Sequence, residues 1–425
     1  MTPTMSAPFT SELAAALAHD VLERLLRYVR IDTQSDHAHA QSPSTPGQLE
    51  LGRLLVAELR ELGLGDAAQD ANGFVTATLP GNVEDAPVIG LLAHLDTTPD
   101  ESGAGVEPLV HRSYDGGAIR LPRGDAVLDP ERMPELSSKV GHDIVSTSGD
   151  TLLGADDKAG IAEVMAAVAY LAAHPELARA TIRVGFTPDE EIGKGAHLFD
   201  IDAFGAECAY TLDGSEAGEF TDETFTAASA EVTIHGVEVH PGHGTGKLVN
   251  AARLAGRVLA ALPNDLTPEA TSEREGFIHV WRVEATAGRA TIRTLVRDFE
   301  DQRLAEHVAL LRRTAEEVVA TEPRARLELT VEHQYPNMRT HLERHPGVSA
   351  AAEEALRREG YEPRRVPARG GTDGSILSAR GLPTPNLFTG GHEYHSVREW
   401  ASVQDMASAA AVAVRLAGVW AERGP

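Results

Sequence analysis

Apolar residues recur at helical spacing over residues 10–31, at Leu13, Leu17, Val21, Leu22, Leu25 and Leu26, which predicts an amphipathic helix. Residues 48–62 repeat that pattern, with Pro46 at the entry and Gly63 at the exit, the usual helix punctuation. Short apolar runs at 74–79 and 87–93 predict strands. Residues 98–145 are rich in Gly, Pro and charge and weakly periodic; they predict a long excursion with a short hairpin. A helix is expected over 159–173, and strands over 181–187 and 209–212. The rhythm then changes. Residues 226–237 alternate as a strand, 248–262 are helical, 277–285 and 290–299 are strands, 302–320 are helical and 326–333 form a strand. That order, β-α-β-β-α-β, is the ferredoxin-like arrangement, which builds a compact domain by itself. A helix over 347–359, a strand over 385–388 and a closing helix over 403–421 follow.

At 425 residues, 42% of them hydrophobic, the chain has the size of two domains and ample material for their cores. Cys208 is its one cysteine, so no intrachain disulfide forms, in keeping with a reducing compartment. Residues 1–10 show no leader-like pattern. The most apolar helix, 159–173, contains Glu163 and is too short to span a bilayer. A soluble, cytoplasmic protein is expected. The net charge of −26 argues against nucleic acid and anionic membranes as partners and favours a solvated acidic surface.

Seven residues from five separated places carry candidate chemistry. They are His94 and Asp96 in LAHLD, Asp156 in GADDK, Glu190 and Glu191 in EEIG, Asp213 in TLDG, and His395 at the close of GHEYH. Most follow a predicted strand, and ligands of open α/β sheets gather beyond the carboxyl ends of strands. Two histidines with several carboxylates and no thiolate suit Zn²⁺, or Co²⁺ or Mn²⁺. His94 and Asp96, two apart on an extended segment, share a face, so the carboxylate can fix the imidazole's tautomer. Of two adjacent glutamates, one can bind metal while the other moves protons, because both do not ionise cheaply when buried. Each piece also has an ordinary structural explanation. Asp156 suits a helix N-cap, Asp213-Gly214 suits a turn, and His392 reads as well as His395 by chemistry alone. The candidates fall before residue 214 and after 390, so a shared site makes the β-α-β-β-α-β block an insertion.

Read together, these strings resemble the M20 family of metallopeptidases, and within it the tripeptide aminopeptidases. The resemblance runs through LLAHLDT, TLLGADDKAG, FTPDEEIG, VHPG, RDF, RGGTDG and FTGG, over nearly the whole chain. It implies an α/β fold. A catalytic domain of residues 1–224 and 338–425, with a mixed central sheet flanked by helices, would carry an inserted α+β ferredoxin-like lid, 225–337. It implies two Zn²⁺ per subunit, with His94 and Asp213 on one, Glu191 and His395 on the other, and Asp156 bridging. His395 is preferred to His392 because the family's ligand histidine stands four residues before a glutamate, as His395 stands to Glu399. Asp96 would orient His94, and Glu190 would be the general base. A cis peptide is implied after Asp156. His240 would stabilise the oxyanion, while Arg297 and Arg369, joined by Asn250, would hold the peptide's carboxylate end, a task for which Arg's planar fork is suited. The implied activity is release of the N-terminal residue from short peptides, most of all tripeptides. A homodimer through the inserted domain is expected from the same source. An M20 dipeptidase or N-acyl amino acid deacylase, or a non-catalytic metal or peptide binder, are the alternatives.

Overall fold

The computed structural model describes residues 9–423; the segment read for a leader lies almost wholly outside the described residues. The chain divides into two compact units. One comprises the chain up to Asp222, Thr340–Val366 and Thr372 onward; the other comprises Glu223–Arg339 and Pro367–Gly371.

In the first unit the apolar runs become neighbouring parallel strands. Val88–His94 pairs with Thr181–Thr187, His94 opposite Thr187, and on its other side with Cys208–Gly214, Leu92 opposite Thr211. Asn386–Phe388 continues the parallel set beyond Cys208–Gly214. Ile89, Leu91, Leu92 and Ala93 are all buried, as expected of strands covered on both faces, whose sequences run apolar without alternation. Antiparallel Val75–Leu79 and Ala68–Gln69 extend one side. Glu219–Thr221 and Arg364–Arg365 extend the other, completing a mixed eight-stranded sheet.

The helix Ala155–Ala173 packs on Val88–His94 and Cys208–Gly214, and Glu12–Tyr28 and Val403–Arg423 pack on that helix and on each other. Because Ala155–Ala173 is buried on nearly every side, it carries no apolar stripe. Residues 98–145 hold more regular structure than a single hairpin. Ile119–Arg120 and Val127–Leu128 form that hairpin. Leu109–His111 and Ile144–Ser146 join Trp400–Ser402 and Gly391–His392 in a second, four-stranded sheet. Strands of two or three residues are too short to leave a periodicity in sequence.

The second unit is an antiparallel sheet in the order Phe277–Ala285, Arg289–Asp298, Thr226–His235, Arg326–Tyr335. Its helices, Ala251–Ala261 and Asp301–Ala320, pack against the sheet and give it the β-α-β-β-α-β order. Val232, Ile234, Ile292, Val258 and Leu311 are fully buried in its core. Pro367–Gly371 joins this unit although it is distant in sequence. Phe225 N–H donates to the Ala368 carbonyl, and Ala368 N–H to that of Glu223.

Candidate active site

The parallel strands stop at His94, Thr187, Gly214 and Phe388, and the candidate residues lie at or just past these ends. Pairing of Leu92 with Thr211 brings His94 and Asp213, each two residues further on, level with one another. His94 Nε2 lies 2.9 Å from Asp156 Oδ1 and 3.7 Å from Asp213 Oδ1. The other oxygen of the same carboxylate, Asp156 Oδ2, lies 3.5 Å from His395 Nε2, which is 3.0 Å from Glu191 Oε2. Asp156 therefore faces two imidazoles, one with each oxygen. His392 is elsewhere: its ring stacks on Trp400 with centroids 4.2 Å apart.

Local backbone explains the placement. Gly154 takes a left-handed φ of 80°, a conformation glycine adopts without penalty, and the Asp156–Asp157 peptide is cis. Asp157 also lies close enough to His94 and Asp213 to share an ion with them. Its carboxylate, however, accepts the N–H groups of His94 (3.0 Å) and Gly160 (3.2 Å), whereas that of Asp156 faces the imidazoles. Asp96 is fully buried. His94 Nδ1–H donates to its carbonyl at 3.0 Å, which leaves Nε2 to point at the cluster. The Asp96 carboxylate, 3.4 Å from Nδ1, receives Glu190 N–H at 2.9 Å and Glu191 N–H at 3.1 Å. The ring N–H expected at the Asp96 carboxylate goes to that residue's backbone carbonyl, and the carboxylate holds the turn of the two glutamates.

Charge in this cluster is unbalanced. Burial opposes protonation of His94, but hydrogen bonds to Asp156, Asp213 and Asp96 outweigh it and raise its pKa well above the usual value. His395 is pushed up to about 11, burial again being overcome by Asp156 and Glu191. Burial lifts Glu191 to about 7 and Asp213 to about 6, with the Asp156 charge adding to both. Burial, and then the charges of Asp213, Asp373 and Glu191, hold Glu190 well above the ordinary carboxylate range. Such a site draws in positive charge, and divalent cations can supply it while the imidazoles stay neutral. Glu191 Oε1 is buried with no hydrogen-bond partner, and His94, Asp156 and Glu191 place ligand atoms close enough for one ion. The N/O donor set fits Zn²⁺, Co²⁺ or Mn²⁺.

The other sequence candidates lie in the second unit. His240 is exposed, and its Nδ1 accepts Gly242 N–H. Asn250 caps the helix Ala251–Ala261 by accepting Arg253 N–H. Arg297 Nη1 donates to the carbonyls of Ala228 and Val296, and its guanidinium lies over Tyr335. Arg369 donates through Nη1 to the carbonyls of Glu273 and Glu275 and through Nη2 to Thr271 Oγ1.

Three buried carboxylates beside the cluster were missed in the sequence. Besides Asp157, they are Asp189 and Asp373. Asp189, at φ 57°, accepts Ser42 Oγ, Ser44 N and Oγ, and Gln48 Nε2, so it anchors the Glu190 turn to residues 42–48. Asp373 accepts Thr187 Oγ1 at 2.6 Å. Each stands in a string singled out above, Asp157 in GADDK, Asp189 in FTPDEEIG and Asp373 in RGGTDG.

The profile of peptidase family M20/M25/M40 matches residues 150–418. Peptidase T of Bacillus subtilis (strain 168) is 46% identical over 403 residues, 94% of this chain and 98% of that protein. Peptidase T of Vibrio parahaemolyticus is 45% identical over 404 residues, 95% of this chain and 99% of that one. The solved structure of aminopeptidase PepT from Bacillus cereus shares the fold with a TM-score of 0.74 at 24% identity, covering 95% of this chain and 99% of that one. The chain belongs to peptidase family M20/M25/M40, where it groups with the peptidase T sequences.

Proposed function

We propose that this chain is a metal-dependent aminopeptidase that removes the N-terminal residue from tripeptides. The observation that carries the reading is Asp156, whose two oxygens face separate imidazoles, each with a further carboxylate at hand. His94 and Asp213 would hold one divalent ion, His395 and Glu191 the other, and Asp156 both. Zn²⁺ is the first choice of ion, with Co²⁺ and Mn²⁺ as alternatives. When bound, such a pair of ions lowers the pKa of a shared water and polarises the scissile carbonyl. Glu190 takes the proton of the attacking water and returns it to the leaving amine. Its raised affinity for a proton suits a base working near neutral pH. Asp96 positions His94, Glu190 and Glu191.

His240 is assigned to the developing oxyanion, and Arg297, Arg369 and Asn250 to the peptide's carboxylate end. Arg297 is held through Nη1 by the carbonyls of Ala228 and Val296, while Arg369 holds residues 271–275 through both terminal nitrogens. A homodimer through the second unit is part of the reading. Its support is Phe277–Ala285, an outer strand of the sheet that exposes Trp281 and Val283, since an open apolar edge invites pairing. Among the described residues no helix is long and apolar enough to cross a membrane, and a cytoplasmic location is proposed.

A panel of di-, tri- and tetrapeptides and their N-acetylated forms, assayed with defined metal, tests the reading. Fastest turnover of tripeptides with a free amino terminus is expected. Fastest cleavage of N-acetylated substrates, or turnover independent of metal, overturns it.

A further inference from the structure

Asp156 must keep both oxygens at set distances from two imidazoles, yet it sits in an irregular stretch before its helix becomes regular. Asp156 and Asp157 both have non-helical backbone angles. The N–H groups of Leu153, Gly154 and Asp156 all converge on one side chain, Glu399. Leu153 and Gly154 donate to Oε2 at 2.8 and 2.7 Å, and Asp156 to Oε1 at 3.0 Å. The left-handed Gly154 turns successive N–H groups toward a single anion, the geometry of a backbone anion nest. Glu399 is 1% exposed, so water does not compete for these bonds. Its own N–H donates to the Ser396 carbonyl at 3.1 Å, closing the turn that begins just after His395. One carboxylate thus ties the loop of one candidate ligand to the turn of another, and the two lie more than two hundred residues apart in the sequence.

We propose that Glu399 is a positioning residue. Its carboxylate locks the Asp156 loop to the His395 turn, and so sets how tightly the ion pair is held. The inference rests on the two-ion reading above. It gives Glu399 the part that Asp96 plays for Glu190 and Glu191, a buried carboxylate that binds no ion and orders the backbone of residues that do. The partners of ligand residues typically influence metal affinity 10–100-fold when replaced.

The test is Glu399→Gln in the full chain, titrated with Co²⁺ against a competing chelator. The metal-free melting temperature and kcat at saturating ion are measured alongside. Gln keeps the size and one acceptor oxygen but turns an NH₂ group toward backbone N–H donors. Co²⁺ affinity is expected to fall about 10–100-fold in a chain that is folded without metal. Asp, one methylene shorter, should also weaken binding, and it replaces Gln as the test if the Gln variant does not fold. A purely structural role lowers the metal-free melting temperature and leaves the Co²⁺ dissociation constant of the folded variant at the wild-type value; that result overturns the proposal. If the wild-type chain takes up fewer than two ions, it is the two-ion reading that fails, and the wild-type titration shows this before any variant is compared.

Discussion

Replacing Glu190 with Gln separates the roles of two adjacent glutamates. The bonds that fix this turn are Glu190 N–H to Asp96 Oδ1 at 2.9 Å and Glu191 N–H to Asp96 Oδ2 at 3.1 Å. Neither uses the Glu190 side chain. The substitution therefore leaves Glu191 at His395 and Asp156 between the imidazoles. What it removes is a carboxyl that burial, and then Asp213, Asp373 and Glu191, make reluctant to ionise. A general base of this kind contributes about 10²–10⁴ in rate, or roughly 2.7–5.4 kcal/mol of barrier at about 1.36 kcal/mol per decade. The expected result is a kcat for tripeptide hydrolysis lower by that factor, with KM and metal content unchanged. Metal-free stability should hold or rise, because an amide has no ionised form for burial to suppress on folding. Release of amine under saturating metal gives the rate, and elemental analysis gives the ion count. A variant with wild-type kcat refutes the assignment of the base. A variant that loses an ion instead identifies Glu190, not Glu191, as the ligand.

Other consequences can be checked in the same preparations. His392→Phe should keep metal binding and activity because an aromatic ring still stacks on Trp400, whereas His395→Ala should lose at least one ion; equal losses would contradict the choice between the two histidines. Chelation should lower the melting temperature, by mass action worth about 2.7 kcal/mol at a hundredfold excess of ion over its dissociation constant, and a melt indifferent to metal would refute a specific site. Glu163 is fully buried with neither carboxylate oxygen partnered, and burial, followed by the Asp405 charge, raises its pKa well above the ordinary 4.5. Its stabilising contribution is complete below about pH 4.5, where both states hold the proton, and is lost as pH rises toward the folded-state value, at up to about 1.4 kcal/mol per pH unit. Denaturant melts across that window should show a shallower slope for Glu163→Gln; equal slopes would show that Glu163 ionises without penalty.

Much of the fold was legible because its signals are local. The run at 88–94 is apolar almost throughout, as a parallel strand covered on both faces must be, that at 181–187 sets Ile182, Val184 and Phe186 at alternate positions, and the alternating 226–237 marked the change to an antiparallel sheet. The short strands at 109–111, 144–146 and 400–402 were not legible, since three residues define no period and their pairing is settled by partners far away in sequence. The site divides in the same way. Residue types identified the chemistry, but which of two like neighbours performs it depended on the backbone. Asp156 and Asp157 are identical side chains at the start of one helix, and helix capping was weighed for Asp156. In the structure Asp157 does the capping, accepting Gly160 N–H three residues ahead as well as His94 N–H. The carboxylate of Asp156 lies instead beside the two imidazoles. His392 and His395 divide likewise, the first held flat against Trp400 in a short strand and the second at φ 59° in a turn. In both pairs the proposed ligand stands on irregular backbone, Asp156 at non-helical angles and His395 at positive φ, a property that composition and spacing do not encode.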